Sequence, residues 1–254
     1  MSVRTGTSVT RPAGAFLRVR RFAGPREATA TFVLVHGLGV SSRYFRPLAR
    51  VLADHGDVLL VDLPGFAGLP RPRRPLGIAG FAAVVARGLL DAGVADCVVI
   101  GQSMGSQVAT ELLVTRPDLV RGAVLVGPTV DAAARGVWPQ LVRFARTVPR
   151  EPARMRAIAV RAYVACGPRW YLQVLPAMIR YPIEERLARV TAPVTLLRGE
   201  HDAVSPAAWL RHLAARTGDA DARTVRGSAH SVVLERTAEV ADAALDVLAR
   251  GPSR

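Results

Sequence analysis

Lysine and asparagine are missing from the 254 residues, and all 34 basic side chains are arginines. Schiff-base chemistry on a lysine amine is therefore excluded. Cysteine occurs only as Cys97 and Cys166, and Cys97, at the head of an apolar run, reads as a small core filler rather than half of a disulfide. No apolar stretch approaches the roughly 18 uncharged residues of a membrane span. Residues 1–12 are polar, carry Arg4 and Arg11, and lack the apolar core of a secretory signal. They are expected to form a short disordered lead-in, and the protein is expected to be cytoplasmic with no membrane partner. No His/Cys/carboxylate cluster has metal-ligand spacing, and no glycine-rich phosphate loop occurs. Neither a metal nor a cofactor is expected.

What is present begins with charge. Thirty-four arginines stand against 20 carboxylates, a formal net charge of +14, which invites a nucleic-acid partner. The arginines are scattered, however, apart from Arg71-Pro72-Arg73-Arg74, and aromatics are only 6% of the chain. Together with the wealth of Ala, Val, Gly and Pro, this pattern follows GC-rich coding. The expected reading is a solvated arginine surface with no nucleic-acid partner.

The length suits one large α/β domain or two small ones. Residues 16–22 alternate apolar side chains with arginine and predict a partly exposed antiparallel strand. Apolar runs at 32–35, 58–61, 98–100, 123–126, 193–197 and 222–225 predict further strands. Helical patterns lie between them: 42–55 with Tyr44, Leu48, Val51 and Leu52 on one face, 81–90 with Gly93 at its exit, 106–114, and 238–248. Ser205-Pro206 predicts an N-cap and a first-turn proline for a helix through 215. Strands alternating with helices imply a mostly parallel sheet covered on both faces. Residues 129–190 break the alternation. They hold no clear strand but carry Trp138, Phe144, Met155, Tyr163, Trp170, Tyr171, Met178 and Tyr181.

The most informative segment is Gly101-Gln102-Ser103-Met104-Gly105, directly after Cys97-Val98-Val99-Ile100. A β-branched run that breaks at Gly-x-Ser-x-Gly and restarts as a helix reads as a nucleophile elbow, with glycines leaving room for the neighbouring strand and helix. Small Ser106 extends that allowance. A glycine-rich turn with a non-catalytic serine is the alternative. Three other strand ends support the elbow: Phe32–Val35 leads to His36-Gly37-Leu38-Gly39, Val194–Leu197 to Arg198-Gly199-Glu200-His201-Asp202, and Ala222–Val225 to Gly227-Ser228-Ala229-His230.

In that order, serine, then aspartate, then histidine, the chain resembles the α/β-hydrolase superfamily over nearly its whole length. The resemblance implies a core of residues 1–128 and 191–254, with a helical cap at 129–190 inserted after the sixth strand. It implies Ser103 as nucleophile, His230 as base and Asp202 as the acid orienting it, with Glu200 and Asp131 as alternatives for the acid. The backbone N–H groups of Leu38 and Met104 would form the oxyanion hole. His36 would support the oxyanion loop, and Asp62, in Asp62-Leu63-Pro64-Gly65, would be structural; Ala67 stands where many relatives have glycine. Trp138, Tyr163, Trp170 and Tyr171 are candidates for lining a substrate pocket, and Arg156, Arg161 and Arg169 for holding a substrate carboxylate. The implied activity is cofactor-free hydrolysis of an ester, thioester or related acyl bond of a small, mostly apolar molecule. Carbon–carbon bond hydrolysis and a non-hydrolytic cyclase or lyase step on the same fold stay open, and the oligomeric state is not read from these residues.

Overall fold

The computed structural model describes residues 5–251. Eight strands make one sheet: β1 (Thr5–Thr10), β2 (Leu17–Phe22), β3 (Thr31–Val35), β4 (Asp57–Asp62), β5 (Cys97–Gln102), β6 (Val120–Val126), β7 (Val194–Gly199) and β8 (Ala220–Val225), in the order β1-β2-β4-β3-β5-β6-β7-β8. β2 is antiparallel to β1 and to β4; all pairs from β4 to β8 are parallel. The helices are α1 (Arg46–Leu52), α2 (Ile78–Asp91), α3 (Met104–Thr115), α4 (Val137–Thr147), α5 (Ala153–Cys166), α6 (Pro168–Arg180), α7 (Ile183–Leu187), α8 (Ala207–Ala214), α9 (Val232–Glu235) and α10 (Thr237–Arg250).

The period of two in a strand sends alternate side chains to opposite faces. Cys97 and Val99 of β5 join the core containing Phe81 of α2, Leu112 of α3 and Trp209 of α8. Val98 and Ile100 join the other, with Leu48 of α1 and Val247 of α10. Burial on both faces explains why the central strands read as continuous apolar runs. From β3 the chain steps outward to β4, then returns to place β5 on the other side of β3. Connections thus leave β3 and β5 in opposite directions and open a crevice at their carboxyl ends, the usual place for a site in such sheets.

Helices α4 to α7 are all inserted between β6 and β7. Their anchor is apolar, through residues such as Trp170 and Ile183, and also polar. Glu111 of α3, nearly buried, accepts from Tyr181 Oη at 2.8 Å and from Arg186 Nε and Nη2 at 2.9 and 2.7 Å. Gln107 Nε2 donates to Thr129 O and Met178 O at 2.8 and 2.9 Å. Among the described residues, no helix is long and apolar enough to cross a membrane.

Three local expectations are corrected. Within the expected lead-in, residues 1–4 lie outside the described residues, but Thr5–Thr10 form β1, paired along their length with β2. Every residue of β1 is exposed, so no hydrophobic pattern marks it. The helix expected over 42–55 is a 3₁₀ turn, Ser42–Phe45, followed by the short α1. Pro47 sits in the first turn of α1, where its missing N–H costs nothing. The restart turns Phe45 inward and leaves Val51 39% exposed. Ser205 does not cap α8: Pro206 precedes the helix, and among the described residues the buried Ser205 Oγ has no hydrogen-bond partner.

Candidate active site

Ser103 sits between β5 and α3 at φ 54°, ψ −120°. A non-glycine residue in that region is strained, and the surrounding structure must enforce it. Ser103 N–H donates to Val126 O at 2.9 Å. Its carbonyl accepts from Ser106 N–H at 2.9 Å and from Ser106 Oγ at 2.5 Å. Both flanking glycines are required by close approach. A Cβ on Gly101 would lie 2.3 Å from Gly105 O, and one on Gly105 would lie 2.1 Å from Val35 O. In a trans peptide the C=O and the next N–H point opposite ways. With Ser103 C=O held inside the first turn of α3, Met104 N–H points out of the helix N-terminus, where unpaired donors and the helix dipole favour negative charge.

The same logic fixes Leu38. His36 is fully buried. Its Nδ1–H donates to Gly37 O at 2.8 Å, and its Nε2 accepts from Leu63 N–H at 3.0 Å. Burial, against the opposing influence of Asp62, holds its pKa below the ordinary value and keeps the ring neutral. With Gly37 C=O turned to the imidazole, Leu38 N–H points the other way. Among the described residues, neither Leu38 N–H nor Met104 N–H is engaged in a hydrogen bond. Asp62, buried, accepts from Ser42 N–H at 2.7 Å, Arg18 at 3.1 Å and Arg20 at 2.5 Å, which ties the start of the next turn to the end of β4.

His230, on the loop after β8, places Nδ1 2.7 Å from Asp202 Oδ2. The other oxygen of Asp202 accepts from Val204 N–H at 2.9 Å and Ser205 N–H at 3.1 Å. Burial opposes ionisation of Asp202, but His230, these N–H groups and Arg198 together hold its pKa below the ordinary carboxylate value. Burial pulls His230 downward, yet the charge and hydrogen bond of Asp202, with the charge of Glu151, leave it above 6.5. An ionised carboxylate only accepts, so Nδ1 carries the proton and Nε2 is the free base of the neutral ring.

The competitors lie elsewhere. Glu200 is exposed and accepts from Gly227 N–H at 2.9 Å. Asp131 pairs with Arg143 at 2.7 Å and accepts from Ala133 N–H. His55, His201 and His212 are exposed.

Ser103 and His230 both line a cavity of about 190 Å³ and a smaller adjoining one of about 80 Å³. Val40, Met155, Val160 and Tyr163 contribute to the larger lobe, with Glu151 and Arg156 as its charged members. Leu141, Phe144, Tyr171, Leu175 and Met178 contribute to the smaller. Two of the four aromatic candidates therefore reach the cavity, Tyr163 and Tyr171, and two do not. Trp138 is 74% exposed on α4. Trp170 is buried, 6.1 Å from the Phe66 ring, and seats the insertion on the core. Arg156 is at the cavity and Arg161 in a neighbouring groove; Arg169 lines neither.

Three residues not singled out from the sequence shape the site. Gly127, at φ +56°, passes so close to the pair that a Cβ would lie 2.8 Å from His230 Cε1 and 3.2 Å from Asp202 Oδ2. The break of an apolar strand at Gly127-Pro128 was the available signal. Arg198, 7% exposed at the end of β7, donates to Ser205 O, Glu200 O and Asp202 O at 2.7, 3.0 and 3.1 Å. Glu151 accepts the N–H of His230 at 2.7 Å, while Gln102 Nε2 donates to His230 O at 3.2 Å. The backbone of the histidine is thus gripped from two sides.

A model of the Alpha/beta hydrolase family matches residues 32–243. The chain is 27% identical over 238 residues to the pimeloyl-[acyl-carrier protein] methyl ester esterase of Xanthomonas campestris pv. campestris (strain B100), spanning 83% of this chain and 92% of that protein. An esterase from Exiguobacterium antarcticum has a similar structure, with a TM-score of 0.81 at 14% identity over 96% of this chain and 100% of that one. The enol-lactonase from Burkholderia xenovorans LB400 aligns with a TM-score of 0.79 at 20% identity over 95% of this chain and 100% of that one.

Proposed function

Because this chain belongs to the Alpha/beta hydrolase family, we propose that it is a cofactor-free serine hydrolase cleaving an ester, thioester or related acyl bond of a small, mostly apolar molecule. The observation that carries this reading is the 2.7 Å His230–Asp202 contact in a cavity that Ser103 also lines. Ser103 Oγ attacks the acyl carbon while His230 Nε2 takes its proton, and Asp202 stabilises the imidazolium that forms. The oxygen of the tetrahedral intermediate sits between Leu38 N–H and Met104 N–H, two donors oriented before substrate arrives. Collapse expels the alcohol or thiol, protonated by His230. Water, deprotonated by the same imidazole, then releases the acid and restores the serine.

The apolar lining supports an apolar acyl or alcohol part, and Arg156 at the cavity supports a substrate with a negative end. The methyl ester esterase relative and the lactonase neighbour act on bonds of this class by name, the lactone being an internal ester. Intact-mass labelling by a fluorophosphonate tests the reading. Wild type gains one adduct and Ser103→Ala none, and turnover of an ester panel falls about 10⁴-fold in the variant. Equal labelling or equal turnover in Ser103→Ala overturns it.

A further inference from the structure

A base on one loop and its acid on another must keep a fixed separation, and here both loops are held from one place. α4 ends at Thr147, and residues 147–151 turn back over the site before α5 begins. The buried Thr147 hydroxyl donates to Arg143 O and accepts from Ala203 N–H, each at 3.0 Å; Ala203 follows Asp202. Within the same turn, Glu151 Oε1 accepts from His230 N–H at 2.7 Å and from Ser231 N–H at 3.0 Å. We propose that Thr147 and Glu151 are positioning residues: one turn of the helical insertion braces the Asp202 loop and the His230 loop at a set spacing, so that seating of the insertion aligns the base. The inference rests on the serine-hydrolase reading above.

The far side of the brace is also closed. Among the described residues, Glu151 Oε2 and Glu235 Oε1, the latter at the end of α9, are both buried without a hydrogen-bond partner. Burial and the neighbouring Glu151 raise the carboxyl of Glu235, while Oε1 of Glu151 takes the two loop N–H groups. Arg236 and Ser228 face Glu235, and Tyr44 and His230 face Glu151. A buried acceptor that takes two donors cannot be truncated without leaving both unpaired.

The test compares Glu151→Ala and Thr147→Val with the conservative Glu151→Gln and Thr147→Ser. Readouts are kcat and KM on a short neutral ester, the rate of fluorophosphonate labelling, and the downfield NMR signal of the His230 Nδ1 proton. Misplacing a catalytic group by about 1 Å costs about 10²-fold. Glu151→Ala and Thr147→Val are therefore expected to lose about 10- to 100-fold in kcat and labelling rate, with KM within about 3-fold and the Nδ1 signal broadened. Glu151→Gln and Thr147→Ser, which keep the accepting oxygen, are expected to restore kcat to within about 3-fold. Unchanged kcat in both truncations overturns the brace. So does an equal loss in the conservative pair, which would mark a merely structural role. If Glu151→Ala fails to fold, the Thr147 pair decides alone. Ser103→Ala is run beside them: turnover surviving there sinks the serine reading, whereas its loss there with normal truncations sinks only the brace.

Discussion

At the residue scale, the chemistry depends on what surrounds His230. Burial pulls its pKa down and Asp202 and Glu151 push it up, with the push prevailing. The proposed mechanism uses the neutral ring as base, so kcat/KM is expected to fall as pH drops through a midpoint above 6.5. In Asp202→Asn the supporting charge is gone and burial dominates. The acid limb is expected to move to lower pH while kcat falls about 10⁴-fold. A pH–rate profile of the two proteins checks both parts, and an unmoved limb would assign the titration to another group. The contact of Asp202 with His230 was expected from the sequence because an acid in a strand-end loop between the serine and the histidine has few other uses. Arg198 was not, since an arginine at a strand end looks the same whether it is solvated or, as here, donating to three carbonyls of the acid loop.

At the element scale, the insertion is held to the core by polar contacts at its far end. Removing the Glu111 carboxylate strands the buried Tyr181 hydroxyl and the Arg186 guanidinium. Glu111→Ala is expected to lower unfolding free energy by about 3–4 kcal/mol, measured by urea titration with m unchanged. A loss under about 1 kcal/mol would mean that the Glu111 cluster contributes little to holding the insertion. Most of the sheet could be read from runs such as Val98–Ile100, because strands buried on both faces need continuous apolar residues. β1 could not, because its hydrogen bonds to β2 leave no trace in side-chain type. The aromatics of the insertion show the same limit. Trp138 and Trp170 are chemically alike, yet one faces outward and the other is buried against Phe66. Only the packing of α4 and α6 decides which.

At the scale of the whole molecule, the Glu151–Glu235 pair ties stability to pH. Burial, then the charge of Glu151, raise Glu235 from 4.5 to about 7. A raised carboxyl binds its proton more tightly folded than unfolded, so its contribution is complete below 4.5 and is lost as pH rises through about 7. His230, raised above 6.5, acts in the same direction. Asp202 acts oppositely, contributing above 3.8 and losing that contribution as acid protonates it. Melting temperature is expected to decline as pH rises from about 5 to about 9, and Glu235→Gln to flatten part of that decline. Parallel curves for the two proteins would show that Glu235 holds no proton near neutrality.

The hydrogen bond from Gln102 to His230 O spans 128 positions, and it has a consequence for how the activity arises during synthesis. The Leu38 loop and the Gly101–Gly105 turn both lie in the first half of the chain. His230 comes from the last tenth of the chain, after the insertion that supplies Glu151. Contacts between such distant segments form late, because the loops they close are long. On the serine-hydrolase reading proposed above, a chain interrupted before residue 230 would hold Ser103 with no base to deprotonate it. Hydrolysis is then expected only once the His230 loop has folded against Gln102.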